Sequence, residues 1–265
     1  MTLLHMLPSA GRAAPICDEA DFRHRARRDH KALRHVEMVY AGKSLAARAV
    51  ARWVREHGLG VDVCSSDELA VALSGGIDPA RVIMHASVMS LDELGGAVAA
   101  GVGRIVVDDP LEVGYLANLV RRQRVLIQVI PDVDIHGHCG AGISDQKFGF
   151  TVGGDHAAHA VRWVLAHRTL ELVGLHCRIS SEVIDPAEYG EAIRRVIAVM
   201  ADVRNHHGVI LTELSLGGVS CRDARKLAAV IEDALDDGCA AEHFPRPAVV
   251  VEVPAGDYQG IVAQE

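Results

Sequence analysis

The sequence predicts an α/β protein of the (β/α)8 barrel class, and three observations carry that prediction. Short apolar runs alternate with longer amphipathic ones, the rhythm of consecutive βαβ units. The chain has 265 residues, about the size of one such barrel. The residues that close the short runs are unusually polar, at the rim where barrels of this kind keep their chemistry.

Taken in order, residues 36–40 read as the first strand and 44–57 as its helix, closed by Gly58. The second strand, 61–64, leads to a helix over 67–73 that stops at Gly75-Gly76. The third strand is 82–84 with a helix over 91–100, and the fourth is 105–107. Its helix spans 111–121 after Pro110, a good first-turn residue. Residues 125–130 make the fifth strand, then a long loop rich in Gly, His and Asp precedes a helix over 156–167. The sixth strand and helix are 172–176 and 187–206, the seventh 214–216 and 222–235, and the eighth strand is 249–252. Ahead of them all, 15–28 reads as a short extended piece and a helix that a barrel does not need. The expected organisation is therefore an N-terminal extension, 1–30, and a barrel, 31–265.

Composition excludes several classes of partner. A net charge of -8 disfavours a nucleic-acid backbone. The basic cluster Arg23, Arg25, Arg27, Arg28 and Lys31 falls on a predicted helix and reads as a solvated face. No apolar run approaches the roughly 18–20 residues that cross a membrane, so no membrane partner is expected. Residues 1–14 lack the charged beginning of an export signal. Six scattered cysteines without a C-x-x-C pair suit reduced thiols. Together these features predict a cytoplasmic protein.

The candidate functional residues collect at strand ends. Lys43 follows the first strand, Asp62 lies in the second and His85 follows the third. His136 and His138 follow the fifth, His176 and Arg178 belong to the sixth, Gly217-Gly218 to the seventh, and Glu252 ends the eighth. An ammonium half-buried at that rim loses hydration and can act as an amine nucleophile toward an aldehyde. The same stretch also reads as a surface lysine opening a helix. Gly217-Gly218 removes side chains at a strand-to-helix turn, which suits a phosphate or simply a tight turn. Glu252 is a lone acid in an apolar strand, costly unless it meets a cation or a heterocyclic N–H. His136 and His138 could be metal ligands, but no third ligand has suitable spacing, and no metal is expected.

Seven stretches carry a family resemblance over nearly the whole chain. They are Pro15-Ile16-Cys17-Asp18-Glu19-Ala20-Asp21-Phe22, Tyr40-Ala41-Gly42-Lys43 and Val61-Asp62-Val63-Cys64-Ser65-Ser66-Asp67-Glu68-Leu69. The others are Val133-Asp134-Ile135-His136-Gly137-His138, Lys147-Phe148-Gly149-Phe150, Gly174-Leu175-His176-Cys177 and Leu216-Gly217-Gly218. In order and spacing the chain resembles the diaminopimelate, ornithine and arginine decarboxylases, pyridoxal-phosphate enzymes with an alanine-racemase-like barrel, and the diaminopimelate branch best. The resemblance implies that Lys43 carries pyridoxal 5'-phosphate as a Schiff base with Asp62 close by. It implies that Gly217, Gly218 and Ser181 contact the phosphate, and that Glu252 holds the proton of the pyridine nitrogen. His85 and His176 are further cofactor-binding candidates. Arg178 stands where the family has a histidine stacked on the cofactor ring, and an arginine plane can also stack on a π system.

Other departures concern the third glycine of the phosphate turn, here Val219, and the motif after Glu252, which runs Val253-Pro254-Ala255-Gly256-Asp257 without the family's arginine. The family's second, β-rich domain is not expected in this sequence. The implied partners are therefore an amino acid or amine and either a second copy of the chain or a separate β-domain chain. The same departures also suit a catalytically silent relative that binds a partner or a small amine, and a one-domain carrier of the cofactor is a further alternative.

Overall fold

The computed structural model describes residues 18–45, 48–87, 89–131, 149–152, 156–178, 186–218 and 223–253. The strands are β1 (Val36–Ala41), β2 (Gly60–Val63), β3 (Val82–His85), β4 (Arg104–Val107), β5 (Gln123–Ile130), β6 (Phe150–Thr151), β7 (Leu170–Arg178), β8 (Glu213–Gly217) and β9 (Ala248–Val253). All but β6 form a closed parallel ring in chain order, sealed where β9 meets β1 with Val36 opposite Val249 and Tyr40 opposite Val253. β6, only two residues long, extends parallel to the end of β5. It is the one described strand absent from the sequence reading, because two residues carry no period.

The helices are α1 (Glu19–Ala32), α2 (Arg48–Glu56), α3 (Ser66–Ser74), α4 (Leu91–Ala100), α5 (Pro110–Leu119), α6 (His156–Leu165), α7 (Pro186–His207) and α8 (Ala224–Ala241). Several start where a side chain satisfies an orphan N–H. Ser65 accepts from Glu68, Ser90 and Glu93 form a reciprocal capping box, and Asp109 accepts from Leu111 just ahead of Pro110. Ser44, expected to open the first long helix, belongs instead to a 3-10 turn, and α2 begins at Arg48.

α1 packs against α8 and α2, so the helix set apart in the sequence fills a place in the outer ring. Its anchor is Phe22, fully buried, edge-on to Tyr40 at 5.7 Å and tilted against Trp53 at 6.0 Å. The basic residues on this helix do form a solvated face: Arg23 pairs with Glu19 and Glu56, and Arg25 with Asp21.

Strand side chains alternate between the helices and the barrel interior, and the interior is built in three storeys. Val39, Ile83, Val106, Leu126, Val173 and Val250 make an apolar middle, separate from the larger core between strands and helices. Two residues earlier on their strands, Glu37, Arg104 and Arg124 join Glu213 in a charged plug. Arg104 lies 2.6 Å from Glu37 and 2.7 Å from Glu213, and Arg124 also pairs with Glu213. Two residues later, His85, Gln128 and Glu252 join Asp62, His176 and Ser215 in a polar upper storey, all buried.

Candidate active site

The upper storey opens at the carboxyl ends of the strands. Lys43 is set there by the turn over Gly42–Ser44. Gly42 presses so closely on β2 that a Cβ would stand 2.6 Å from the Asp62 carbonyl oxygen and 2.8 Å from Glu68 Oε2. Only a residue without a side chain permits that approach. Lys43 itself is exposed, a correction to the half-burial expected of it, because it stands above the last inward-facing layer. Its charge still favours the ionised form of Glu252.

Asp62 on β2 and His85 at the end of β3 form a buried pair, Oδ1 to Nε2 at 3.0 Å. Burial opposes charge on both. For the Asp62 carboxyl, the His85 cation and its hydrogen bond, helped by Arg178, outweigh burial and hold it below the ordinary carboxylate range. For His85, Asp62 and then Glu252 overcome burial and hold the ring above the ordinary imidazole range. The geometry thus favours an imidazolium–carboxylate pair.

His176 on β7 is 1% exposed and meets His85 edge-on, with centroids 4.8 Å apart and planes at 84°. Its Nδ1 lies 2.9 Å from Ser215 Oγ on β8. Burial, then the neighbouring His85, push its pKa down to about 3, so it stands as a neutral imidazole. Among the described residues, His176 Nε2 and Asp62 Oδ2 are buried with no hydrogen-bond partner.

Gly217 ends β8 beside them. A Cβ there would lie 3.0 Å from both Nε2 and Cε1 of His176 and 3.1 Å from Glu252 Oε2. Glycine therefore leaves a clearing between an imidazole edge and a carboxyl group. Gly218, with φ of 72°, turns the chain and donates its N–H to Glu252 Oε2 at 2.8 Å. That donor, expected to serve a phosphate, serves the last-strand acid. Burial, then the Asp62 charge, raise the Glu252 pKa, with Gly218, Arg178 and Lys43 acting the other way.

The structure thus brings Asp62, His85, His176, Gly217, Gly218 and Glu252 together, with Lys43 above them. Arg178 ends β7 half-buried, its charge acting on Asp62 and Glu252. Ser181, His136, His138, Val219 and Asp257 lie outside the described residues. Sequence reasoning passed over Ser215, a small polar residue in an apolar strand that gave no distinctive signal. It also passed over Asp108 and Glu112 beyond β4, where Glu112 Oε2 accepts from the Asp108 N–H at 3.0 Å. Burial pushes Glu112 up to about 8 and raises Asp108 as well. The carboxylates' spacing beside Pro110 was the available signal.

Asp62, Cys64 and His85 place one possible metal-binding atom each within 4.8 Å of one another. As it stands the trio is an ion pair beside a protonated thiol. Desolvation, then Asp62 and Glu68, push Cys64 up to about 12.

What the site fits is a flat, aldehyde-bearing heterocycle. An amine stands at the rim, a clearing that one Cβ would fill lies below it, and the orphaned Nε2 of His176 is at its wall. A carboxyl group disposed to hold a proton, Glu252, forms the opposite wall. Fold and site together define a barrel of the pyridoxal-phosphate-binding class.

The comparisons with known proteins agree. A family model described as "Pyridoxal-dependent decarboxylase, pyridoxal binding domain" matches residues 19–256, and the chain belongs to that family. It is 39% identical over 254 residues to the diaminopimelate decarboxylase of Actinosynnema pretiosum subsp. auranticum, covering 91% of this chain and 57% of that protein. It is 37% identical over 257 residues to the diaminopimelate decarboxylase of Mycobacterium bovis, covering 89% and 58%. The chain therefore spans a little over half the length of these relatives. Among solved structures it is similar in fold to diaminopimelate decarboxylase from M. jannaschii in complex with L-lysine, with a TM-score of 0.83 at 20% identity over 92% of this chain and 60% of that one. The arginine decarboxylase of Paramecium bursaria Chlorella virus gives a TM-score of 0.77 at 18% identity over 90% and 62%. Among the described residues no helix is long and apolar enough to cross a membrane.

Proposed function

We propose that this chain is the cofactor-binding barrel of a pyridoxal-phosphate-dependent decarboxylase that acts on a diamino or basic amino acid, of the diaminopimelate type. The observation that carries this reading is the clearing at Gly217, walled by His176 and Glu252 and overlooked by Lys43. Lys43 would hold the cofactor covalently, Gly217, Gly218 and Ser181 would lie at its phosphate, and His85, His176 and Arg178 would line its ring. When bound, pyridoxal phosphate supplies an electron sink for the pair left behind as carbon dioxide departs. The chain's own residues prepare for that. Glu252, pinned through Oε2 by Gly218, keeps a proton available to a ring nitrogen. Asp62 and His85 hold a fixed dipole at the wall, while neutral His176 adds no competing charge. Arg178 offers a planar cation that can lie against a π system or attract a substrate carboxylate.

The relatives' greater length supports a site completed by further protein, either within a homodimer or by a separate β-domain chain. We also read the protein as cytoplasmic, in keeping with free thiols at Cys64, Cys177 and Cys239. Its organisation is read as an extension, 1–30, and a barrel, 31–265. Adding pyridoxal phosphate is expected to give the visible absorption band of a lysine-bound cofactor, absent in Lys43→Ala. A band that persists in that variant sinks the reading. Carbon dioxide release from diaminopimelate, lysine, ornithine or arginine then tests the activity. A one-domain carrier or silent relative is the second reading, favoured by Arg178 and by the Gly218 N–H already engaged with Glu252. The carrier predicts the band without carbon dioxide, and measured turnover of lysine, ornithine or diaminopimelate removes the silent relative.

A further inference from the structure

We propose that Ser215 is a positioning residue of this site. Through its hydroxyl it fixes the ring orientation and tautomer of His176, so that His176 Nε2 becomes a hydrogen-bonding contact for the bound heterocycle. The inference rests on the cofactor reading above and deepens it.

Four observations converge. His176 is buried, so its ring does not turn toward water. Among the described residues its Nδ1 has one partner, Ser215 Oγ at 2.9 Å, and Ser215 is itself 2% exposed. Its Nε2 has none among the described residues, and a buried polar atom without a partner costs roughly 1–3 kcal/mol. That same Nε2 borders the clearing, 3.0 Å from where a Cβ on Gly217 would stand. The other polar wall of the clearing, Glu252 Oε2, already accepts from Gly218 N–H, so of the two atoms only His176 Nε2 is without a partner among the described residues. The vacant hydrogen-bonding capacity at this wall therefore belongs to the imidazole.

A neutral imidazole carries one ring proton, and the group bonded to one nitrogen decides which nitrogen holds it. A hydroxyl suits both arrangements. If Ser215 donates to Nδ1, Nε2 is an N–H donor; if Ser215 accepts, Nε2 is a lone-pair acceptor. A ligand bearing hydroxyl or phenolate oxygen and a ring nitrogen can answer either, and Ser215 rotates to match. The His85 edge packed against His176, with its own Nε2 committed to Asp62, keeps the second charge off this ring.

The test uses the whole chain labelled with 15N at histidine, with His176 assigned by comparison with His176→Asn. In the wild type His176 is expected to show a neutral ring. Pyridoxal phosphate should bring up the visible band and shift the Nε2 resonance. Ser215→Ala is expected to form the band still, but with mixed His176 tautomers and with the band's pH midpoint moved by about one unit, a tenfold change in proton affinity. Ser215→Thr should restore both. If no band forms in the wild type, the cofactor reading falls and this inference with it. If the band forms while the Nε2 resonance stays put, or Ser215→Ala leaves tautomer and midpoint unchanged, only the inference is overturned. Should Ser215→Ala fail to fold, the wild-type Nε2 shift alone decides.

Discussion

At the amino-terminal end of the barrel, Arg104 is enclosed between Glu37 and Glu213, and Arg124 adds a second cation to Glu213. At the carboxyl end, Asp62 and His85 are paired, yet Asp62 Oδ2 and His176 Nε2 are buried with nothing to bond among the described residues, and Glu252 is strained toward its neutral form. Both ends bury charge inside one ring of strands. The lower plug sets its carboxylates against two arginines, and Arg104 Nε and Glu213 Oε2, although neither makes a hydrogen bond among the described residues, face each other as opposite charges at 2.7 Å. In the upper storey His176 Nε2 has no hydrogen-bond partner among the described residues and stands beside the missing Cβ of Gly217, where a ligand atom can meet it. The difference lies in what those atoms face: an opposite charge in the plug, and the clearing at Gly217 at the carboxyl end.

Perturbing each end should separate stability from binding. The largest loss of stability is expected at the plug: Arg104→Ala removes the cation shared by buried Glu213 and half-buried Glu37 and should cost about 3–5 kcal/mol, read from the urea midpoint. The cofactor band should survive in that variant wherever it folds. A variant that keeps its stability would deny the plug its role.

An intermediate effect concerns pH. His85 has a raised folded pKa, so its contribution is fully present below the unfolded value near 6.5 and is lost as pH rises through the folded value. His176 is the opposite case, with a folded pKa of about 3. The unfolded chain binds a proton that the folded chain refuses, so stability should fall as pH drops from about 6.5 toward 3, by up to about 1.4 kcal/mol per unit. Urea unfolding across that range measures the slope, and His176→Asn should flatten its acid limb. An unchanged slope would show that His176 is not held neutral.

The smallest effect on stability is expected at Gly217. Replacing it by alanine should change the unfolding free energy by about 1 kcal/mol or less, since the loss of chain entropy in the unfolded state offsets the tight contact with His176. The same methyl fills the clearing, so the cofactor band should disappear. Normal binding by Gly217→Ala would place the ligand elsewhere.

Much of this was legible beforehand. Strands such as β3 and β9 stood out because an apolar run buried on both faces needs no alternation to be seen, and Pro110 announced the start of α5. Lys43, Asp62, Gly217 and Glu252 drew notice as polar or small residues at strand ends. β6 was too short to read, and α1 looked superfluous because nothing local in 15–28 says that Phe22 will meet Tyr40 and Trp53. Ser215 looked like any serine, and Lys43 looked more buried than it is.

By itself, then, the sequence determined the order of strands and helices, the barrel class and the family, because periodicity, caps and short motifs are local properties written in neighbouring residues. Only the tertiary structure decided that His176 leans on Ser215 and His85, that Gly218 gives its N–H to Glu252, and that a missing Cβ opens a clearing between them. Those contacts join residues far apart in the chain, and ring closure with its fixed register is what brings their side chains to one level.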